Sequence, residues 1–456
     1  MFKVKELLAV TKGKLLKGRS DIAVKGISID SRTIRPKEVF LAIKGDNFDG
    51  HDFIGPAIRK GASCVIMGKG VKKSIPIKGD SRALIEVRDT LRALADIATF
   101  WRNKFNIPLV AVTGSNGKTT TKEMIAWILA KKLRVLKNEG TKNNHIGLPL
   151  ALCSLDSRDE LAVVEIGSNH FGEIGRLSEI CQPNLGVITS IGPAHLEHLI
   201  NLKGVFREKY SLVENLRHPR IAILNSDNNM LRKKILKNNK KSLIFSFGIK
   251  EKADFRVSQI QDLSGELKFL VNEKYKFTLS ALGYYNIYNA LAAIAVARIF
   301  GMTYQEIAGR LADFVFPAGR LKIIQLGDFR FIDDTYNANP LSLKQALDAL
   351  ANFKTNGRRI FIMGDMMELG RHKEQFHRQA GRQIALACDT LITVGKLSGL
   401  AAGVAGTLGL SRQNIFSCEF IDQARDILFK RISPRKGDII LVKGSRAMTM
   451  ERIFRF

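Results

Sequence analysis

The stretch VAVTGSNGKTTTKEMIAWIL, residues 110–129, decides the fold of the central part of this 456-residue chain. Its first letters, VAVTG, are apolar and β-branched and predict a buried strand, whereas KTTTKEMIAWIL predicts a helix. Between them, Gly114 and Gly117 let backbone N–H groups approach phosphate oxygens without obstruction by side chains. The sequence therefore predicts a phosphate-binding loop that joins a strand of a parallel sheet to a helix.

The glycine spacing of this loop differs from the common phosphate-loop pattern. That pattern has a glycine five residues before the glycine that precedes the lysine, and here Val112 occupies the position. Lys118 is nevertheless placed to neutralise charge on β- and γ-phosphates, and the Thr119 hydroxyl is placed to bind Mg²⁺. A glycine turn with a surface lysine is the alternative, which the preceding apolar strand disfavours.

Strand and helix signals alternate along the chain in three blocks, which predict an α/β protein of three domains. We expect the boundaries at residues 1–105, 106–317 and 318–456. The central block is expected to form a P-loop ATPase-like parallel sheet, and the last block a Rossmann-like one. The segment FPAGRL, residues 316–321, contains a proline and a glycine that suit a hinge between the second and third blocks.

Polar residues follow the apolar runs of the central block. The carboxyl ends of parallel strands meet at one edge of a sheet, so these residues are expected near the loop. Glu165 ends the run LAVVEIGS, where its carboxylate could reach a metal on the phosphates, and His195 follows the run VITSIGPAH. Lys209 lies on the next predicted helix. A capping glutamate, a loop histidine and a solvated lysine are the alternatives; their order after the loop favours a site.

The net charge of +29 suits anionic partners, and the densest basic run is RKKILKNNKKS, residues 232–242. No aromatic residues alternate with this run, so we interpret it as solvated surface and expect no nucleic-acid partner.

No apolar run approaches the roughly 20 residues of a membrane helix, and the first residues lack the apolar length of a secretory signal. We therefore expect a cytoplasmic monomer without membrane insertion.

Cysteines that are odd in number and widely scattered predict buried reduced thiols rather than disulfides or a zinc site. They are Cys64, Cys153, Cys181, Cys388 and Cys418.

Together these motifs resemble the Mur ligase family of ATP-dependent amide-forming enzymes. In that family the loop reads TGxxGKTT, which TGSNGKTTT matches, so the short glycine spacing is a family trait. The resemblance covers essentially the whole chain. The other segments that carry it are SIDSRTIRPKEVFLAIKGDNFDGHDF (28–53), TKNNHIGLPL (141–150), EIGSNHFGEI (165–174), DDTYNANP (333–340), GDMMELG (364–370) and VKGSRAMTMERI (442–453).

The resemblance implies that ATP converts a carboxylate into an acyl phosphate, which an amine then attacks. The segment YNANP favours a member that adds D-alanyl-D-alanine to UDP-N-acetylmuramoyl-tripeptide in peptidoglycan precursor synthesis; the third residue of the tripeptide, diaminopimelate or lysine, stays open. Another Mur-type ligase, such as the third-residue-adding enzyme or a folylpolyglutamate synthetase, is the nearest alternative. A P-loop ATPase that depends on nucleic acid is the alternative from another class.

The resemblance also implies roles for individual residues. It places ATP contacts at Gly114, Ser115, Asn116, Gly117, Lys118, Thr119, Thr120, Asn289, Arg320 and Asp334. It places substrate contacts at Asp30, Ser31, Arg32, Asn143, Asn144, Asn169, His170, Asn337 and Asn339. It implies two Mg²⁺ sites, one held by Thr119 and Glu165 and one by His195 and a carbamate on Lys209. It assigns catalytic roles to Lys118, His195 and Lys209.

One position departs from the family pattern. Tyr285 precedes Asn286 where the family usually has a histidine. The resemblance places this position beside adenine, so the departure concerns the contact with the base and not the chemistry.

Overall fold

The computed structural model describes residues 2–71, 75, 77, 79–237 and 241–454. Its strands are β1 Phe2–Lys3, β2 Lys14–Lys17, β3 Ala23–Val24, β4 Ile27–Ser28, β5 Val39–Leu41, β6 Cys64–Gly68, β7 Ala83–Val87, β8 Leu109–Thr113, β9 Val135–Lys137, β10 Leu161–Glu165, β11 Leu185–Ile188, β12 Ile221–Asn225, β13 Leu243–Gly248, β14 Phe255–Asp262, β15 Leu267–Val271, β16 Tyr275–Leu279, β17 Lys322–Leu326, β18 Phe329–Asp334, β19 Arg359–Gly364, β20 Thr390–Val394, β21 Ile415–Cys418 and β22 Ile439–Lys443.

The α-helices are α1 Val4–Thr11, α2 Ile54–Arg59, α3 Thr90–Arg102, α4 Lys118–Leu129, α5 Gly147–Leu152, α6 Glu173–Cys181, α7 Leu196–Leu199, α8 Leu202–Glu214, α9 Asn229–Leu236, α10 Tyr285–Ile299, α11 Tyr304–Ala312, α12 Pro340–Ala351, α13 Lys373–Ala387, α14 Ser398–Thr407 and α15 Ile421–Asp426. Short 3₁₀ turns lie at Gly50–Phe53, Gly370–His372, Arg412–Asn414, Arg446–Met448 and Met450–Phe454, and a π turn lies at Ile427–Ile432.

Three sheets organise the described residues. The first has the order β2-β7-β6-β5-β4, the second β16-β15-β14-β13-β12-β11-β8-β10-β9, and the third β17-β18-β22-β19-β20-β21. Most neighbouring strands are parallel, and antiparallel pairs stand at the edges, such as β2 with β7, β14 to β16, and β17 with β18. A separate antiparallel pair joins β1 and β3. The predicted α/β class with parallel sheets is confirmed.

The phosphate-binding loop follows a strand at the centre of the second sheet. All five residues of β8 are buried. Leu109 and Ala111 pack in one apolar core, whereas Val110 and Val112 pack in another. Alternate side chains of a strand point to opposite faces, so both faces of the sheet are covered. This explains why the strand reads as a continuous apolar run.

Helix α10 packs beside α4 and is buried around most of its surface. Its sequence is apolar on all sides, as expected for a helix that packs inside a large core. The helix ends before Gly301, whose φ of +78° is a conformation that glycine adopts without strain.

Four of the cysteines are buried and all five are free thiols. Cys418 is only half-buried, so the expectation of a buried thiol is wrong at that position, which lies at the end of the edge strand β21. Among the described residues, no helix is both long enough and apolar enough to cross a bilayer. The basic run 232–242 begins on α9, and its residues 238–240 lie outside the described residues.

Candidate functional site

Two glycines of the phosphate-binding loop are required by their surroundings. Gly114 has a φ of +145°, and a Cβ atom there would lie 2.1 Å from Thr189 Oγ1. Gly117 has a φ of +81°, and its Cβ would lie 2.2 Å from Asn289 Oδ1. Both the backbone conformation and the close approach exclude larger residues. The N–H groups that open α4 are thereby left uncovered for an anion.

The loop faces a cavity of about 600 Å³ at the carboxyl edge of the second sheet. Side chains from all three blocks line it, including Asp46 of the first, which the sequence analysis did not single out. The cavity brings together most of the residues assigned by resemblance, namely Ser115, Asn116, Gly117, Lys118, Thr119, Thr120, Asn143, Asn144, Glu165, Asn169, His170, His195, Arg320, Asp334, Asn337 and Asn339.

A second group of assigned residues lies outside the lining of this cavity. In the first block, Arg32 donates to both carboxylate oxygens of Asp30, and Ser31 is buried. Asn289 lies in an adjoining cavity of about 190 Å³ next to the loop. The remaining members of this group are Gly114, whose carbonyl accepts from Lys118, and Lys209, which is buried.

The Glu165 carboxylate lies between the phosphate-binding loop and the segment 138–144. Its Oε2 atom accepts a hydrogen bond from Thr119 Oγ1 at 2.7 Å, and its Oε1 atom accepts one from Asn143 Nδ2 at 2.6 Å. Glu165 is 1% exposed. Each oxygen of this buried carboxylate therefore has a partner, one on the predicted nucleotide side and one on the predicted substrate side.

Two buried residues that the sequence analysis missed hold this arrangement. The Asn138 side chain accepts from the Glu165 backbone N–H at 2.8 Å and donates to the Glu165 carbonyl at 3.0 Å. From α4, Lys122 Nζ donates to the carbonyls of Asn138 at 2.5 Å and Gly140 at 3.1 Å. Asn138 and Lys122 are both fully buried. The sequence did contain a signal for Lys122, because a lysine stands within a predicted helix whose following residues are mostly apolar.

Among the residues that the structure describes, no carboxylate lies within ion-pair distance of Lys118. Its Nζ atom donates to the carbonyls of Gly114 at 2.9 Å and Ser115 at 3.4 Å. Burial lowers the pKa of Lys118, and the nearby Glu165 acts in the opposite direction. An anion next to Nζ would favour the charged form, so the loop is suited to a phosphate.

His195 is oriented by a residue of the third block. Its Nδ1 atom lies 2.6 Å from Glu368 Oε2. Burial lowers the pKa of His195, which favours the neutral ring, and the bond to His195 lowers the pKa of Glu368. Nδ1–H then donates to Glu368, and the lone pair of Nε2 is left for another partner. Glu368 was missed as a site residue, although it follows a strand in the quoted segment GDMMELG.

Lys209 is fully buried on α8, so the alternative of a solvated surface lysine is wrong. Its Nζ atom donates to Ser168 Oγ at 2.7 Å. Burial, together with the charge of Lys118, lowers the pKa of Lys209 to about 7. A large fraction of this amine is therefore neutral at physiological pH, which makes it a nucleophile.

Two contacts bring the third block to the loop. Arg320 Nη2 donates to Thr119 Oγ1 at 3.2 Å. The side-chain amides of Asn116 and Asn339 meet at 2.7 Å. Both contacts cross the boundary expected near residue 317, whereas the stacking of the Arg320 guanidinium on the Tyr336 ring, at 3.9 Å, lies within the third block.

Asp334 forms a buried ion pair within the third sheet. Lys443 Nζ donates to Asp334 Oδ2 at 2.5 Å and to the Asn337 carbonyl at 2.9 Å. Tyr285 lines the cavity nearby, and burial raises the pKa of its hydroxyl.

The oxygen set at Thr119 and Glu165 fits Mg²⁺, which binds through few protein ligands together with phosphates and water. No group of three His, Cys, Asp or Glu side chains suited to a metal occurs among the residues that the structure describes. The donors at His195 and Lys209 fit a second Mg²⁺ only if the lysine gains oxygen atoms, because an ammonium group has no lone pair and Mg²⁺ prefers oxygen ligands to an amine nitrogen.

A phosphate-binding loop at the carboxyl edge of a parallel sheet, facing a cavity that three blocks line, defines a P-loop enzyme that binds a nucleotide beside room for a second substrate. Family models match three successive segments of this chain. They are Mur ligase family, catalytic domain, at 23–102; Mur ligase middle domain, at 112–297; and Mur ligase, glutamate ligase domain, at 319–446. The chain belongs to the Mur ligase family.

Individual relatives match over nearly the full length. The UDP-N-acetylmuramoyl-tripeptide–D-alanyl-D-alanine ligase of Bacillus subtilis is 31% identical and covers 99% of this chain and 97% of its own. The structure of the UDP-N-acetylmuramoylalanyl-D-glutamyl-2,6-diaminopimelate–D-alanyl-D-alanyl ligase from Acinetobacter baumannii is 30% identical, with a TM-score of 0.85 and coverages of 99% and 97%. MurF ligase from Thermotoga maritima, in complex with ADP, is 28% identical, with a TM-score of 0.81 and coverages of 96% and 97%.

Proposed function

We propose that this chain is an ATP-dependent ligase that joins D-alanyl-D-alanine to UDP-N-acetylmuramoyl-tripeptide in the synthesis of peptidoglycan precursors. The full-length similarity to the Bacillus subtilis ligase named for these substrates carries the proposal. The cavity supports it, because one wall carries a phosphate-binding loop and the others carry the amide and imidazole side chains that a peptide substrate requires.

The reaction has two steps. A carboxylate oxygen of the tripeptide attacks the γ-phosphorus of ATP, the bond to the β–γ bridging oxygen breaks, and ADP leaves. The amine of D-alanyl-D-alanine then attacks the acyl carbon, the C–O bond to phosphate breaks, and the nitrogen releases a proton. An unactivated carboxylate is a poor acyl donor, so ATP supplies the leaving group.

The first step brings two anions together, and the positive side chains offset their repulsion. Lys118 projects from the loop at the predicted γ-phosphate position, and Arg320 approaches Thr119 from the third sheet. Groups that are fixed before the reaction stabilise a transition state without reorganising at that moment. The backbone N–H groups at Gly117 and the start of α4 bind the remaining phosphate oxygens.

The chain has donors for the two proposed Mg²⁺ ions. Thr119 and Glu165 would hold the first ion, and Nε2 of His195 with a carbamate on Lys209 would hold the second. Bound Mg²⁺ supplies charge neutralisation on the phosphates and the reacting carboxylate. Glu368 holds the His195 ring in the orientation and tautomer that leave Nε2 available.

The carbamate on Lys209 forms when the neutral amine attacks carbon dioxide. The nitrogen bonds to carbon, one proton is released, and an anionic group with two oxygens results. Burial supports this step because it lowers the pKa of Lys209 to about 7 and supplies the neutral amine. Ser168, which is already within hydrogen-bond distance of Nζ, would orient the product.

We assign the UDP part of the substrate to residues 1–105, the nucleotide to 106–317 and the closing surface to 318–456. In this assignment Asp30, Ser31 and Arg32 bind the UDP-linked moiety. Asn143, Asn144, Asn169, His170, Asn337 and Asn339 bind the peptide near the reacting carboxylate, and Asn289 and Tyr285 lie beside adenine. The proposed substrates are made in the cytoplasm, so we assign the enzyme there, as a monomer.

Phosphate release with purified protein tests the proposed function. ATP and UDP-N-acetylmuramoyl-tripeptide are supplied with and without D-alanyl-D-alanine, and stoichiometric release is expected only with the dipeptide. Release with UDP-N-acetylmuramoyl-dipeptide and a third amino acid would instead indicate the third-residue-adding ligase, and release with a folate and glutamate would indicate a folylpolyglutamate synthetase. Stimulation by DNA or RNA with steep salt dependence would contradict the ligase.

A further inference from the structure

A second cavity of about 460 Å³ adjoins the main one and has no part in the chemistry described above. It lies between the N-terminal end of α3, helix α6 and the segment before α5. A substrate that extends away from the reacting carboxylate can continue into it, because the two cavities have lining residues in common. These residues are Asn144, His145, Gly167 and Glu173.

Two arginines line this cavity with charge that neighbouring carboxylates do not fully offset. Within the part of the chain that the structure describes, the Arg176 side chain makes no hydrogen bond or ion pair, and its charge is near enough to Asp96 to act against the raised pKa of that carboxyl. Arg92 Nε lies 3.8 Å from an oxygen of Asp96, which is beyond hydrogen-bond distance. Both guanidinium groups are therefore available to an anion.

The two carboxylates on the same wall are already occupied. Asp89 accepts from two N–H groups in the first turn of α3, at 2.8 and 3.1 Å. Glu173 Oε2 accepts from the N–H groups of Asn169 and His170, at 2.7 and 3.1 Å. Both acids thus serve the backbone, and the free hydrogen-bonding capacity of the cavity is mainly that of the arginines.

Asn144, His145 and Gly167 belong to the wall shared with the main cavity, and away from that wall the lining next to the arginines is aliphatic. Arginine binds a carboxylate through two parallel N–H donors, which is stronger and more directional than binding by a point charge. An aliphatic wall next to two guanidinium groups suits a carboxylate on a short hydrocarbon chain, whereas an ammonium group would be repelled. The aliphatic side chains are those of Leu91, Ala95, Leu177 and Ile180.

We propose that this cavity binds a carboxylate of the peptide part of the UDP-linked substrate, with Arg176 and Arg92 as specificity-determining residues. The inference rests on the proposed function, which places such a peptide in the adjoining cavity. Two groups have this chemistry: the side-chain carboxylate of a diaminopimelyl third residue and the free carboxylate of the glutamyl residue. Both occur in the substrate for which the Acinetobacter relative is named.

Steady-state kinetics with two substrates tests the proposal. The variants are Arg176→Gln and Arg92→Gln, and the matched control is Arg382→Gln, an exposed arginine on α13 away from both cavities. UDP-N-acetylmuramoyl-tripeptides ending in meso-diaminopimelate or L-lysine are compared. We expect KM for the diaminopimelate substrate to rise about tenfold or more in each test variant, as for the loss of a charged hydrogen bond. The values of kcat and of KM for ATP are expected to stay unchanged.

The result also identifies the carboxylate. An increase in KM confined to the diaminopimelate substrate assigns the side chain of the third residue. Equal increases for both tripeptides, with an unchanged inhibition constant for UDP alone, assign the glutamyl carboxylate. Unchanged KM for both substrates, or a parallel weakening of UDP that indicates the diphosphate, overturns the proposal. Wild-type protein that releases no phosphate with either tripeptide contradicts the proposed function itself, so the two failures are distinguishable.

Discussion

Among the described residues, Lys118 occupies an enclosed position without a carboxylate in ion-pair contact, and burial lowers its pKa. The backbone N–H groups of the loop carry only partial charges. In the proposed mechanism, the charge that develops in the first step is therefore offset mainly by this side chain and by Arg320.

We predict that Lys118→Ala lowers kcat by roughly 100-fold or more, because one preorganised positive group is removed from the transition state. Binding of the UDP-linked substrate, measured by calorimetry without ATP, should change little, since the first block is proposed to hold it. Lys131→Ala, at an exposed lysine just beyond α4, is the control. Turnover close to wild type in Lys118→Ala would remove this residue from the mechanism.

Lys209 provides a second prediction at this scale. Lys209→Ala should lose roughly 100-fold or more of kcat, because the proposed carbamate cannot form. The matched control is Lys203→Ala, an exposed lysine on the same helix, which should retain full turnover. Near-normal turnover of Lys209→Ala would exclude the carbamate. Mass spectrometry after chemical trapping of carbon dioxide gives a readout independent of turnover.

The pH dependence of the wild type follows from the same lysine. Its pKa is lowered from 10.5 to about 7, so the neutral amine becomes more abundant as the pH rises through about 7. When bicarbonate is limiting, turnover should therefore increase across that range and level off above it, and added bicarbonate should restore turnover at low pH. A rise only near pH 10 would show that the environment does not lower the pKa of Lys209.

At the scale of elements, the segment 138–144, which follows β9 and precedes α5, is hydrogen-bonded to both α4 and β10. Asn138 holds the backbone of Glu165, and Lys122 of α4 donates to the backbone of the segment. The loop that opens α4 and the amide of Asn143, which is proposed to face the peptide, are thus set relative to each other by buried hydrogen bonds. Buried groups of this kind are costly to leave unpaired.

We predict that Asn138→Ala lowers both stability and kcat. Loss of the hydrogen bonds to the β10 backbone should lower the free energy of unfolding by about 1–3 kcal/mol. Displacement of Glu165 should lower kcat at least about tenfold. Asn184→Ala is a matched control, because Asn184 also accepts from one backbone N–H and donates to one carbonyl, at the opposite end of β8. Both variants should melt earlier, but only Asn138→Ala should lose kcat at a temperature where both are folded. Equal kcat values would contradict a positioning role.

The strand–loop–helix unit and the placement of Glu165 and His195 at the carboxyl ends of strands near it could be predicted because each is encoded within a short stretch. Lys122 and Asn138 could not, since their importance depends on a hydrogen-bonded crossing between a helix and a later segment. Glu368 was quoted within a motif but not assigned, because its partner is 173 residues away in the chain. Pairings of this kind depend on how the sheets are arranged, which local periodicity does not determine.

At the scale of the whole molecule, the third sheet reaches the loop through a few polar contacts. The Asn116–Asn339 amide pair and the bond from Arg320 to Thr119 are replaceable by water. The His195–Glu368 pair and the packing of Leu282 in the apolar core of the third block add to these contacts. Interfaces of this kind between domains allow relative motion, so we expect the position of the blocks to respond to what fills the cavity between them.

We predict that the free protein is more extended in solution than the liganded protein. Small-angle scattering should give a smaller radius of gyration after a non-hydrolysable ATP analogue and UDP-N-acetylmuramoyl-tripeptide are added together. Asn339→Ala should require higher ligand concentrations for the same compaction. A radius that is identical with and without both ligands would contradict closure.

The burial of the thiols has a practical consequence for such measurements. Burial raises the pKa of Cys153, Cys181 and Cys388 to about 12, and that of the half-buried Cys418 to about 11. Thiolates, rather than thiols, react with maleimides and peroxides. We therefore expect the native thiols to label slowly. One cysteine introduced on the surface at each side of the cleft could then be labelled selectively with a dye for single-molecule distance measurements. For the same reason, we expect peroxide to oxidise these thiols slowly in the folded protein.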